Sequence, residues 1–373
     1  MTEINKSSQQ LIKESNMKLV FALIHSHGAI SRADIKKITG LSATTVSSLV
    51  EELMRDRMVV ECGIKETNTS GRKAVMLTVN SQDGFFLGLD VRKNCIYAAL
   101  CGLDFSVKQF VEVPVTKGET LVLGILRAIG RLARDKRIFG ITIGIPGVID
   151  PKTNTVISST VLAAEDAKDL YLILRETMPD VSIFIKNNSG LVALCEREFD
   201  GYQHIDNLVS VDIDDGVGAG ILIGGAIYDG SGLAGEFGHM SVDFNGRRCS
   251  CGNYGCLELY ASIPAMLEQA GDDSVESLKR RLDCNDSTAI SVIDKVARAL
   301  AFGINNIVNL LDPELIVIGG AVKSLGDVFI DRVRANFEEL SLIKDKTIVY
   351  SGIEVNPVVL GGVRYAFDML FGV

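Results

Sequence analysis

Gly235-Glu236-Phe237-Gly238-His239, and after it Cys249-Ser250-Cys251-Gly252-Asn253-Tyr254-Gly255-Cys256-Leu257-Glu258, decides how the rest of the chain is read. Three thiols and one imidazole this close in sequence form a complete tetrahedral ligand set for zinc. Gly252 and Gly255 let the backbone turn tightly around an ion. Three unrelated buried thiols beside a loop histidine would not explain spacing this tight about one centre. With His239, Cys249, Cys251 and Cys256 filling every position, none stays open for water. The zinc expected here is structural, not catalytic.

At 373 residues the chain is long enough for two or three domains, and its 47% hydrophobic content supports sizeable cores. The 36 glycines suit an α/β protein with many tight strand-to-loop transitions. No charge-free apolar run is long enough to span a bilayer. The opening Met1-Thr2-Glu3-Ile4-Asn5-Lys6 has no apolar signal-peptide core. Cys62, Cys95, Cys101, Cys195 and Cys284 are scattered, without disulfide-framework spacing. These features predict a cytoplasmic protein with no membrane partner. Charge is uneven: residues 1–80 carry 11 Lys+Arg against 8 Asp+Glu, the remainder 27 against 39. A mildly basic head on an acidic body suits a DNA-reading module joined to a soluble partner domain.

In the head, Leu11, Ile12, Met17, Leu19, Val20, Leu23 and Ile24 recur as one face of a helix that Gly28 ends. Ser31 is placed to cap a second helix, Arg32 to Ile38, with Asp34 near its positive end. After the turn Thr39-Gly40-Leu41, Ser42 is placed to cap a third, with Val46, Leu49, Val50 and Leu53 facing inward. Helix, glycine turn and helix at this spacing predict a helix-turn-helix. The outward face of the third helix offers Thr44, Thr45, Ser47 and Ser48, small hydroxyls suited to phosphates and base edges. Two strands from Met58 and Ala74 then enclose a wing, with Arg72 and Lys73 beside Gly71 at its tip and Arg72 suited to a minor groove. A helical oligomerisation domain with solvated serines is the competing reading of this segment.

From Phe85 onward the pattern changes to α/β. Strands at Phe85–Val91, Ile96–Leu100 and Val107–Val113, a helix near Leu121–Arg134 and a strand Ile138–Ile145 are echoed by strands at Leu208–Ile213, Gly218–Ile223, Ala226–Tyr228 and Leu315–Ile318. Glu236-x-Gly238-His239 with Cys249-x-Cys251-Gly252-x-x-Gly255-Cys256-Leu257-Glu258 resembles the signature of the ROK family, which groups bacterial repressors, open reading frames and sugar kinases. The resemblance runs from about Phe85 to the C-terminus, and the head is similar to the winged-helix module of the family's repressor branch. It implies two ribonuclease-H-like lobes of actin-like, sugar-kinase type facing a cleft. The expected division is residues 1–80 for the winged helix-turn-helix, 81–198 for the first lobe with the terminal helix 359–372 returning to it, and 199–358 for the second lobe with the zinc loop.

Kinases of the family need a glycine-rich phosphate turn in each lobe and an aspartate base on the sugar hydroxyl. This chain departs at each place. The first turn reads Asp90-Val91-Arg92-Lys93-Asn94, without glycines to admit phosphate to the backbone. The second reads Asp214-Asp215-Gly216-Val217-Gly218, setting two carboxylates where phosphate would sit. Asn188 stands at the base position, and a carboxamide cannot accept the proton. The segment Val161–Lys168 also departs from the family pattern. Phosphoryl transfer is therefore not expected.

Sugar binding needs no base. The resemblance assigns it to Asn187, Asn188, Glu236, His239 and Glu258, with one His239 nitrogen for zinc and the other for a hydroxyl. Alternatively, Glu236 and Glu258 only brace the zinc loop. The effector is an unusual sugar, a phosphorylated sugar near Lys186, or a protein. The expected whole is a transcriptional repressor that binds a double-stranded DNA operator as a homodimer or higher oligomer and senses a carbohydrate. A sugar kinase with a DNA-binding head, and a regulator whose body serves only as a dimerisation or docking scaffold, are the alternatives.

Overall fold

The computed structural model describes residues 8–64, 74–116, 118–159 and 164–372. The expected wing tip with Arg72 and Lys73, and Val161–Ala163, lie outside these residues.

The head consists of α1 (Ser8–His27), β1 (Ile30–Ser31), α2 (Arg32–Thr39), α3 (Ala43–Arg55), β2 (Val59–Ile64) and β3 (Val75–Val79). Each boundary has a local cause. The Ser31 hydroxyl accepts from Asp34 N at 3.1 Å and starts α2; Gly40, at φ 71°, ends it. The Ser42 hydroxyl accepts from Thr45 N and starts α3, which buries Val46, Leu49, Val50 and Leu53. β2 and β3 pair antiparallel from Val59↔Val79, and β1 adds to the other edge of β3 at Ile30↔Leu77. One expectation fails. Leu11, Ile12 and Leu19 are exposed, and α1 packs instead through Val20, Phe21 and Ile24. The apolar period marks a face of the helix, but only the stretch from Val20 meets partners that bury it.

The body continues with β4 (Phe85–Val91), β5 (Cys95–Gly102), β6 (Val107–Pro114), α4 (Leu121–Ala133), β7 (Ile138–Ile145), the hairpin β8 (Gly147–Asp150) and β9 (Thr155–Ser159), α5 (Ala164–Thr177), β10 (Ser182–Asn187) and α6 (Asn188–Phe199). There follow β11 (Leu208–Ile213), β12 (Val217–Ile223), β13 (Ala226–Ile227), α7 (Glu258–Ala261), α8 (Ile263–Ala270), α9 (Val275–Asp283), α10 (Ser287–Leu311), β14 (Leu315–Gly319), α11 (Asp327–Leu340), β15 (Thr347–Tyr350) and α12 (Pro357–Phe371). The two five-stranded sheets share one topology: β6-β5-β4-β7-β10 and β13-β12-β11-β14-β15. In each, three antiparallel strands form a meander, and two later strands extend the sheet from the first. This is the repeated α/β unit read from the sequence.

The chain forms two compact units: residues 1–143, 169–184 and 362–373, and residues 144–168 and 185–361. Residues 144–168 and 185–198 belong to the second unit, in which α6 lies directly on β12. A Cβ on Gly220 would stand 2.0 Å from the Ser189 carbonyl oxygen, and one on Gly218 2.6 Å from the Ser189 hydroxyl. In this unit Val209, Val211 and Ile213 of β11 face a core built by α8, α9, α10 and α11. Leu208 on the other face packs with Ala193 of α6, Leu222, Leu315 and Val317.

Farther along that second face the floor turns polar. Glu196 of α6 is 1% exposed. Burial, opposed by a hydrogen bond with Ser351 and aided by Asp200, pushes its carboxyl up from the ordinary 4.5 to about 7. The folded chain therefore holds this proton more tightly than the unfolded chain. Stability from it is full below about 4.5 and is lost as pH rises through about 7. Glu196→Gln should raise the melting temperature by about 3–8 °C at pH 8 and leave it nearly unchanged at pH 5, as thermal melts at the two pH values will read.

Candidate functional site

The sequence-selected residues of the second unit fall at four places. Asn187 ends β10 and caps α6. Its Oδ1 accepts from Ser189 N at 2.8 Å, and its Nδ2 donates to the Gly147 carbonyl at 2.7 Å. Both ends of that carboxamide are thus committed to holding the β7–β8 turn against α6. Asn188, the first residue of α6, accepts from Ser189 N through Oδ1 at 3.1 Å.

Lys186, just before them, is 5% exposed and pairs with Asp229. The Asp229 carbonyl in turn accepts from Gly232 N at 2.8 Å and Ala234 N at 3.4 Å. The ammonium therefore fastens the loop that leads to Glu236. The Lys186 charge is met inside the protein by Asp229.

The third place is the thiol cluster. One ligand atom each from His239, Cys249, Cys251 and Cys256 lies within 4.8 Å of all the others. His239 turns Nδ1 toward Cys249 Sγ at 3.7 Å and Nε2 toward Glu236 Oε2 at 3.9 Å. The loop closes on itself at Ser241↔Cys256 and Arg248↔Tyr254. Gly255, at φ 63°, is required there: a Cβ would stand 1.7 Å from the Asp243 carbonyl oxygen. Burial opposes a thiolate at Cys249, but hydrogen bonds with Cys251, with His239 and with Cys256 bring it down to about 7. Burial and its thiol neighbours push Cys256 up to about 12. A cation at the centre would relieve that conflict, and the donor set suits a soft divalent ion in a closed tetrahedral site.

At the fourth place Glu258 opens α7. Its Oε2 lies 2.7 Å from where a Cβ of Gly216 would be, so the glycine makes room for the carboxylate. Beside it, Asp215, Arg247, Ser262 and Glu268 help line an open cavity of about 390 Å³. Arg247 is occupied by the Leu259 carbonyl, by Glu268 at 3.6 Å and by the Tyr260 ring.

The turns at Asp90 and Asp214 are each engaged from within the protein. Asp90, buried at the end of β4, takes the Arg92 guanidinium at 2.8 Å. Asp214 accepts from Ala321 N at 2.7 Å. In the head, Thr44 and Ser48 are exposed and Thr45 and Ser47 half-buried on α3. The Thr44 and Thr45 hydroxyls lie 2.8 Å from Ser42 Oγ, so the cap orients both. Sequence reasoning missed the Lys186–Asp229 pair, the Arg92–Asp90 pair and Glu196. A lysine and an arginine where the kinases have other residue types were the available signals for the first two.

The ROK family's sequence model matches residues 86–356. The chain is 31% identical over 341 residues to the xylose repressor of Bacillus subtilis, covering 88% of each. It is 28% identical over 354 residues to the DNA-binding transcriptional repressor Mlc of Escherichia coli, covering 89% of this chain and 87% of that one. Among solved structures, a ROK family transcriptional regulator described as a homolog of E. coli Mlc superposes with a TM-score of 0.83 at 27% identity, over 96% of this chain and 97% of its own. The ROK hexokinase of Thermus thermophilus superposes with a TM-score of 0.66 at 22% identity, over 78% of this chain and 100% of its own, a likeness of fold. No helix of the described residues is long and apolar enough to cross a membrane.

Lys186→Met should strand the Asp229 carboxylate and lower stability by about 2–4 kcal/mol, less than for a fully buried pair because Asp229 is partly solvated. Adding Asp229→Asn should recover more than half of the loss. Urea unfolding of the two single variants and the double variant measures the coupling, and additive losses would show the pair to be idle.

Proposed function

The chain belongs to the ROK family, and from that premise we propose that it is a DNA-binding transcriptional repressor whose sugar-kinase-like body binds a carbohydrate without phosphorylating it. Residues 1–80 are its DNA-reading head, and the rest of the chain is its two-lobed, sugar-kinase-like body. The observation that carries the reading is the head: a capped helix-turn-helix whose third helix buries four apolar residues and turns hydroxyls outward. Thr44, Thr45, Ser47 and Ser48 meet bases and phosphates, and Arg72 and Lys73 of the wing meet the backbone or a minor groove. Two heads on a two-fold operator require at least a dimer.

The body is not an enzyme in this reading. Arg92 holds the carboxylate of the first turn, and Asn188 replaces the base. A sugar needs only donors and acceptors, and Asn188, Glu236, His239 and Glu258 supply them, with Asn187 anchoring the turn beside them. Because Lys186 is neutralised by Asp229, the pocket suits an uncharged sugar better than a sugar phosphate. One structural zinc, held by His239 Nδ1 and the thiolates of Cys249, Cys251 and Cys256, braces the loop that carries Glu236 and Glu258 at its ends. By linkage, a sugar that prefers the conformer with weaker DNA affinity releases the operator.

The test selects duplexes from a random pool with the full chain, then titrates the winner with neutral sugars and sugar phosphates while ADP release is followed. Specific binding, release by a neutral sugar and no ADP are expected. Ser48→Asp puts a carboxylate toward the phosphates and should weaken binding at least tenfold with unchanged folding. No enrichment of any sequence would overturn the DNA reading. ADP release would favour a kinase with a DNA-binding head.

Elemental analysis of the purified protein should find about one zinc per chain. Cys251→Ser should lose that zinc and lower the melting temperature, because the energy of a structural zinc is folding energy. Less than half an equivalent, with stability unchanged on chelation, would remove the metal from the account.

A further inference from the structure

Phe21 and His25 stand one turn apart on α1 and meet rings from other elements of the first unit. The Phe21 centroid lies 5.9 Å from Phe367 and 4.6 Å from Phe371, both on α12. His25 lies 4.5 Å from Phe367 and 4.6 Å from Phe105, which sits in the β5–β6 turn. Phe105 meets Phe367 edge-on at 5.0 Å, and Phe86 of β4 meets Phe367 and Phe371 edge-on at 6.0 and 6.2 Å. The first helix of the head is thus seated on the body through interlocked rings, and of these rings only His25 can take a proton.

The surroundings of His25 suit a neutral ring. Its Nε2 is buried and finds no hydrogen-bond partner among the described residues. On the α12 side stands Arg364, held by Asp368 at 2.7 Å, with its guanidinium over Phe105 at 5.7 Å and Phe367 at 5.9 Å. A second cation would share those ring faces with the first. On the β5–β6 side, the Leu103 backbone hydrogen-bonds the ring, and Asp104 offers a negative charge of its own, with Lys108 beside it. Burial, then Arg364, outweigh Leu103 and Asp104 and bring the imidazole down from 6.5 to about 4.

We propose that His25 is the positioning residue of the head: as a neutral ring it docks α1 on α12 and the Phe105 turn, and as an imidazolium it releases them. The consequence for DNA rests on residues 1–80 being a DNA-reading head; the docking does not. An undocked His25 titrates near 6.5 and a docked one near 4, so the docked state is fully favoured above about pH 6.5 and loses ground as pH falls toward 4.

Hydrogen exchange on the full chain, without DNA, tests this at pH 7.5 and 5.5 after correction for intrinsic exchange rates. Peptides covering residues 17–27 and 362–371 should open about tenfold more often at the lower pH. His25→Phe keeps a ring in place with no proton to bind, and should abolish the pH response. His25→Leu serves the same end if the larger ring disturbs the joint. His27→Phe should keep the wild-type response, since His27 is exposed. A wild-type joint indifferent to pH, or a response that persists without His25, would overturn the proposal. A head that binds no DNA would leave this result untouched, so the two ideas fail separately.

Discussion

The convergence of His239, Cys249, Cys251 and Cys256 is the constraint on which the geometry of the second unit's thiol loop and its flanking carboxylates depends. Between Ser241 and Tyr254 the chain has almost nothing else to hold it: Cys249 is the one buried residue of that stretch, and Phe244 is 86% exposed. A loop that buries so little apolar surface cannot offset the entropy of ordering its backbone. A few turn hydrogen bonds and two isolated bridges do not change that balance. The ends are different. Phe237 and Leu257 are buried and press on Gly303 of α10, which ties both ends of the loop to the core. Glu236 and Glu258 are the immediate neighbours of those two anchors, so drawing the four ligands together fixes two carboxylates that the sequence separates widely.

The charged groups at three of the expected kinase positions form one pattern. At Asp90, Lys186 and Asp214 the chain supplies its own counter-group: Arg92, Asp229 and the Ala321 N–H. A polyphosphate arriving there would have to displace internal partners from partly dry positions, and separating such pairs leaves buried charge behind. The fold shared with a sugar kinase is kept, while at these three positions the charged groups serve contacts within the protein.

Legibility in the sequence followed the range of the interaction. Ser31, Gly40 and Ser42 announced α2 and α3 because caps act over three or four residues, and β4 and β7 matched their expected spans because buried strands are short apolar runs. The cluster of His239, Cys249, Cys251 and Cys256 was readable for the same reason: a single loop contains it. Lys186–Asp229 was not, since 43 residues separate the partners and neither residue type points to the other. Nor was the polar floor under Glu196, whose hydrogen-bond partner Ser351 lies far along the chain. The burial of α1 was misjudged at Leu11, Ile12 and Leu19 because periodicity identifies a face but not the length of it that finds a partner. Asn187 bonds Gly147 and Ser189 through the two ends of its side chain, a role that composition could not reveal.

A signal can pass to the head only if the joint that seats it is weak enough to be moved. A ligand shifts an equilibrium by no more than the difference between its affinities for the two states. A hundredfold difference corresponds to about 2.7 kcal/mol. Aromatic pairs contribute on the order of 1 kcal/mol each beyond their buried area, so a joint made wholly of phenylalanines would approach or exceed that allowance. Histidine at position 25 keeps the shape of a ring but carries a buried nitrogen without a partner among the described residues, which costs about 1–3 kcal/mol. That cost is comparable to the free energy a ligand can supply. The imperfection at His25 thus places the docking of α1 within reach of a modest bias, where a better-packed ring would demand a larger one.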